Sequence, residues 1–204
     1  MMPKPRKTFC LFSYLLACAL CCFAQPSDKN VIIRIVQDEH VFTPDENQYS
    51  ITLQKKTFKI QVLLQNIEGV FAFASLNDSL YSLPGNKPVP GFAYLPVMAM
   101  AEEEFNKEKE LLLDDQGWAY WFFDPALPWH WFNKKIILLD SGRVVGTKTI
   151  KQLYLLPQRQ IVKLKDNKGP LYLFFVAVEE ADASGRPVRE LMRRKIKIEW
   201  QDED

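Results

Sequence analysis

The sequence predicts a mainly all-β fold: a single antiparallel β-sandwich of roughly nine or ten strands with one short helix, α+β being the alternative. Three observations carry the prediction. Runs rich in Val, Ile, Leu, Phe, Tyr and Trp recur roughly every eight to twelve residues, with turn residues between them. Several runs alternate apolar and polar side chains, the period of a strand that is wet on one face. Only one stretch, near Val97 to Lys107, has a helical composition.

In chain order, "VIIRIV" (Val31 to Val36), "YSITL" (Tyr49 to Leu53), "FKIQVLLQ" (Phe58 to Gln65) and "VFAFASL" (Val70 to Leu76) are the first four strands. In the third, Phe58, Ile60 and Val62 share one face while Lys59 and Gln61 take the other. The segment from Pro84 to Pro96 holds four prolines and two glycines, which denies a ladder its N–H donors and marks a long ordered loop. Pro96 suits the first turn of a helix, and the acids Glu102 to Glu104 precede Lys107 and Lys109, the order a helix dipole favours. "ELLL", a turn in "DDQG" and "WAYWFF" then read as a hairpin. Later turns fall at Asp140 to Gly142 and Asp166 to Gly169, and "EEADASGRPVREL" is a longer excursion before the last strand. In that strand Ile196, Ile198 and Trp200 alternate with Lys195, Lys197 and Glu199, a half-buried pattern with its charged face in water. The expected core contains Phe58, Ile60, Val62, Phe71, Phe73, Trp121, Phe123, Leu173, Phe175 and Ile198, and the acidic tail "QDED" reads as disordered.

The chain's densest aromatic stretch runs from Trp118 to Phe132 and contains eight Trp, Tyr and Phe residues. Each such side chain presents roughly 150–250 Å². Together they exceed the roughly 300–600 Å² of the largest apolar patch on a typical monomer, so most must be covered. The first half, Trp118 to Phe123, is expected to be a core strand with two bulky faces. In the second, "DPALPWHWF", two prolines oppose regular pairing, and Trp129 and Trp131 can project from one side as a rigid platform, with His130 and Phe132 beside them. Indoles so placed stack on sugars, grip apolar ligands or anchor a protein partner.

At the N-terminus Lys4, Arg6 and Lys7 precede an uncharged apolar run of 16 residues, Phe9 to Ala24, followed by polar "QPSDKN". This is the pattern of a secretory signal, with cleavage expected after Ala24, and the run is shorter than the roughly 20 residues of a membrane-spanning helix. Residues 1–24 are thus expected to be a signal peptide and 25–204 a single sandwich domain, with lipid anchoring at Cys18 as the alternative processing. The product is expected in a periplasm or at the cell surface, with no transmembrane span. All four cysteines (Cys10, Cys18, Cys21, Cys22) lie in the signal, so a cleaved chain would have no disulfide, thiolate zinc site or cysteine nucleophile. Removing Lys4, Arg6 and Lys7 from the 26 basic residues leaves 23 against 25 acidic ones, a formal charge of −2 that does not favour nucleic acid.

Candidate chemistry is sparse. Of the two histidines, His130 is the better placed for a hydrolase, with Asp124 or Asp140 to orient it and Ser141 as nucleophile, but no GxSxG elbow accompanies them. Asp38, Glu39 and His40 are consecutive and cannot all face one ion on a strand, and Asp114 and Asp115 suit a solvated turn. The acids Glu102 to Glu104 point about 100° apart on a helix, which does not make a glycosidase pair. "NDS" at Asn77 to Ser79 is a lone glycosylation match, and no phosphate-cradling glycine loop occurs. No catalytic residue, metal or cofactor is therefore expected. The expectation is an exported, non-enzymatic bacterial cell-envelope protein with a structural or protein-interaction role. A glycan- or apolar-ligand-binding module using Trp129, His130, Trp131 and Phe132 is the first alternative, and a hydrolase centred on His130 the second.

Overall fold

A computed structural model of the chain describes residues 29–67, 69–82, 97–98, 111–113, 118–123, 134–139, 143–181, 183 and 187–201. The fold is all-β. One five-stranded sheet contains β1 (Asn30–Gln37), β2 (His40–Phe42), β4 (Phe58–Gln65), β9 (Lys134–Leu138) and β10 (Arg143–Ile150), in the order β2-β1-β4-β10-β9. A six-stranded sheet contains β3 (Ser50–Leu53), β5 (Gly69–Ser75), β6 (Val97–Met98), β8 (Trp118–Phe123), β13 (Leu171–Ala181) and β14 (Pro187–Trp200), in the order β3-β14-β13-β5-β8-β6. A small sheet, β12-β11-β7, is built from β7 (Leu112–Leu113), β11 (Gln152–Leu155) and β12 (Gln160–Lys163).

The two large sheets share one core, as alternation requires. Ile33 and Ile35 of β1, Phe58, Ile60, Val62 and Leu64 of β4, and Ile150 of β10 meet Ile51, Leu53, Val70, Ala72, Leu171, Leu173, Phe175, Ile196 and Ile198 from the other sheet. Leu111, Leu113, Leu153, Tyr154 and Leu164 add the small sheet and the turn after it to the same cluster. The six-stranded sheet is also covered on its other face, where Phe71, Phe73, Phe174 and Val176 are buried. This explains why "VFAFAS" and "LYLFFVAV" are apolar without alternation.

Two polar side chains tie the sheets together. Gln37, 6% exposed at the end of β1, grips the connection that crosses from β3 to β4. Its amide donates to the carbonyls of Gln54 (2.9 Å) and Lys56 (3.2 Å), and its oxygen accepts the Gln54 N–H (2.8 Å). At the other tie, Trp200 of β14 packs its ring at 57° to that of Phe58, with centroids 6.3 Å apart. Its indole N–H donates to the Gly169 carbonyl, which also accepts from the Asn167 amide.

Several expectations need correction. Among the described residues there are fourteen strands rather than roughly nine or ten, the excess lying in pieces of two to four residues. The sheets are not wholly antiparallel: β3 with β14, β6 with β8 and β7 with β11 run parallel. The helix expected from Val97 is a strand at Val97–Met98, where pairing with β8 outweighs local propensity. Residues 99–107 lie outside the described residues. The one described α-helix, α1, is Asp78–Ser82. "ELLL" and "WAYWFF" do not form a hairpin, because β8 lies between β5 and β6 and both of its edges are taken. Of the expected core, Phe71 and Phe73 are buried on the far face of the six-stranded sheet rather than in the sandwich interior. Trp121 and Phe123 stand opposite Phe71 and Val70 in register.

Candidate functional site

The edge of the five-stranded sheet at β9 departs most from what water favours. Ile137, Leu138 and Leu139 are consecutive and 44%, 69% and 39% exposed. Soluble sandwiches usually blunt such edges with charge, proline or bulges, because a free edge templates pairing with another chain. The backbone alternation of β9 follows from one bond. The Leu139 N–H donates to the Arg143 carbonyl at 2.8 Å, and β9 pairs with β10 at Leu138↔Val144 and Ile137↔Val145. Odd-numbered residues of β9 therefore bond inward to β10. The N–H and C=O of Lys134, Ile136 and Leu138 point away from the sheet.

Ile137 also ends a row on the sheet's outer face. Register places Ile32 opposite Leu63, Leu63 opposite Val145 and Val145 opposite Ile137, giving an apolar row that crosses β1, β4, β10 and β9. The neighbouring rows on that face are polar, Arg34, Gln61, Thr147 and Lys135 on one side and Asn30, Gln65 and Arg143 on the other. Ile32, Leu63 and Val145 are partly buried, so exposure peaks where the row reaches the edge.

A second cluster lies on the outer face of the six-stranded sheet. Tyr81 of α1 packs on Tyr172, with ring centroids 4.9 Å apart, and the Lys195 ammonium stands 4.6 Å from the Tyr81 ring centre. Burial pushes the Tyr81 phenol well above its ordinary range, with Tyr49 and Tyr172 adding to the shift, and burial also lowers the Lys195 ammonium. The Tyr81 hydroxyl is buried with no hydrogen-bond partner among the described residues. Such a phenol is neither an acid nor a base near neutral pH.

Farther along β14, Arg193 and Glu190 form a buried fork, Nε to Oε2 at 2.7 Å and Nη2 to Oε1 at 2.8 Å. Residues three apart on a regular strand face opposite ways. Here Val178 pairs with Glu190 but Ala177 with Met192, so Leu191 is an extra residue and Glu190 and Arg193 share a face. Buried, bidentate pairing of this kind is suited to fixing register. Beyond the pair the expected alternation holds, with Ile196 and Ile198 buried while Lys195, Lys197 and Glu199 are partly or fully exposed.

The residues singled out from sequence fall as follows. Trp129, His130, Trp131 and Phe132 lie outside the described residues, as do Asp124, Asp140, Ser141, Asp114, Asp115 and Glu102 to Glu104. The first half of the aromatic stretch is strand β8 inside the six-stranded sheet. Asp38, Glu39 and His40 are exposed at the β1–β2 turn, where Asp38 has a φ of 52° and its carboxylate meets the Lys56 ammonium at 2.7 Å. Asn77 of the glycosylation match accepts the Ser79 N–H at 3.0 Å at the start of α1. Among the described residues no group of three or more His, Cys, Asp or Glu is placed to hold a metal, and no helix is long and apolar enough to cross a membrane. Sequence reasoning missed the β9 edge, although "KKIILLD" carries a signal: four consecutive aliphatics directly before a turn leave no polar side chain for the solvent face. No family model matches the chain, and no curated protein matches it in sequence.

Proposed function

We propose that this chain is an exported, non-enzymatic protein of the bacterial cell envelope with a structural or protein-interaction role, and that the β9 edge is its contact surface. The observation that carries the interaction role is the run of exposed aliphatics at Ile137, Leu138 and Leu139 on a strand that ends its sheet among the described residues. Export rests on the basic, apolar and small-residue sequence of residues 1–24. The ligand-platform reading rests on Trp129 and Trp131 alone and stands second.

Two measurements test the proposal. Native protein should be recovered outside the cytoplasm with an intact mass that begins at Gln25; a retained N-terminal segment removes the export claim. A photo-crosslinking residue at position 137 should give a discrete adduct in intact cells, while the same residue at exposed Gln160 should not. Absence of any adduct from position 137, or equal labelling from both, removes the interaction claim.

A further inference from the structure

We infer that the occupant of the β9 edge is β9 of a second copy, paired antiparallel about a two-fold axis through Ile137 so that two five-stranded sheets become one. This rests on the interaction reading above and names its partner. The backbone permits it: Ile136 and Leu138 point their N–H and C=O groups outward, and a two-fold at Ile137 sets Ile136 opposite Leu138 of the second copy. That seam has about four backbone hydrogen bonds, with Ile137 facing its own copy in the close, non-hydrogen-bonded position.

The side-chain pattern selects this register over its neighbours. A two-fold at Ile137 joins the row Ile32, Leu63, Val145, Ile137 end to end with the same row of the second copy, flanked by polar rows on both sides. Moving the axis to Leu138 would set Ile137 opposite Leu139, which leads into the polar Arg143 and Gln65 row. Moving it to Ile136 would set Lys135 opposite Ile137. The register through Ile137 has one such pair on each side of the axis, Lys135 with Leu139, whereas the register through Ile136 adds Lys134 opposite Leu138 to Lys135 opposite Ile137. The same pairing covers Leu138, the most exposed of the large apolar residues described.

An edge seam of this length is smaller than the roughly 1,200–2,000 Å² of a stable complex, so the association is weak and reversible, with a Kd in the micromolar-to-millimolar range. It is therefore best read by trapping and by mass against concentration. In purified protein with Cys10, Cys18, Cys21 and Cys22 changed to Ala, Ile137→Cys should oxidise to a covalent dimer. The facing Cα atoms would stand roughly 4.5 Å apart, inside the span of about 4.4–6.8 Å that a disulfide accepts. Its dimer yield should exceed that of Val41→Cys, on the opposite edge, by about tenfold or more. A yield no greater than that of Val41→Cys, or one matched by Leu139→Cys, overturns the inference.

Independently, the weight-average mass of the native protein should rise toward that of a dimer as concentration approaches the millimolar range. Leu138→Pro, which removes an outward N–H together with the exposed leucine side chain, should stay monomeric. A mass that does not change with concentration overturns the inference. If the position-137 adduct in cells is a different protein while Ile137→Cys gives no dimer, self-pairing fails and the interaction reading survives; no adduct at all removes both.

Discussion

Gln37 should be the polar side chain on which the joint between the two sheets depends most. It is 6% exposed and makes three hydrogen bonds, of 2.8, 2.9 and 3.2 Å, to the backbone that crosses from β3 to β4. Gln37→Ala removes all three. Each bond contributes roughly 0.5–1.5 kcal/mol net, and Gln54 and Lys56 are exposed enough for water to re-solvate part of what is lost, so the expected cost is about 2–3 kcal/mol. Gln37→Glu keeps the acceptor for the Gln54 N–H but turns a carboxylate oxygen toward two carbonyls, so it should cost at least as much at neutral pH. Urea titration read by tryptophan fluorescence measures both, with the slope held equal to confirm that the unfolded reference is unchanged. A loss below about 0.5 kcal/mol for Gln37→Ala would refute the claim that this amide organises the joint.

Other outcomes follow from the same structure. Glu190→Ala should destabilise by about 3–5 kcal/mol in the same titration, whereas Glu190→Leu with Arg193→Met should cost far less than the sum of the single changes. Tyr81→Phe removes a buried hydroxyl that has no partner among the described residues and should raise stability by about 1 kcal/mol, seen as a higher melting temperature. Asp45 is held below the usual carboxylate range by the N–H groups of Gln48 and Asn47, with Arg194 adding to it. A depressed acid stabilises above its unfolded pKa of about 3.9 and loses that contribution as pH falls through its folded value. The stability gap between wild type and Asp45→Ala should therefore shrink as pH is lowered below about 4, and a gap constant with pH would contradict the assignment.

What was legible in the sequence was what local pattern determines. The alternation in "FKIQVLLQ" places Phe58, Ile60 and Val62 on one face, and β4 follows it from Phe58 to Gln65. Strands β9 and β10 pair antiparallel on either side of the expected turn at Asp140 to Gly142, which itself lies outside the described residues. Features set by distant partners were not legible. The parallel pairing of β3 with β14 joins residues far apart in the chain and leaves no local trace. The Glu190–Arg193 fork needs the extra residue at Leu191, and strand periodicity alone would put the two side chains on opposite faces. Similarly, "VFAFAS" read as one more core strand, yet only Val70, Ala72 and Ala74 enter the sandwich interior, Phe71 and Phe73 being buried behind the sheet. Of the candidate site, the aromatic half from Trp118 to Phe123 was recognised as a strand. The β9 edge is not legible locally because exposure depends on which strand ends the sheet, a property of topology rather than of composition.

Residue-resolved amide hydrogen exchange along β9 in dilute native protein tests the open edge most directly. The amides of Ile137 and Leu139, bonded inward to β10, should exchange slowly, while those of Ile136 and Leu138 should exchange rapidly. Protection of Leu138 equal to that of Ile137 at low concentration would mean that the edge is already paired within the chain. That result would contradict the contact surface proposed for this protein.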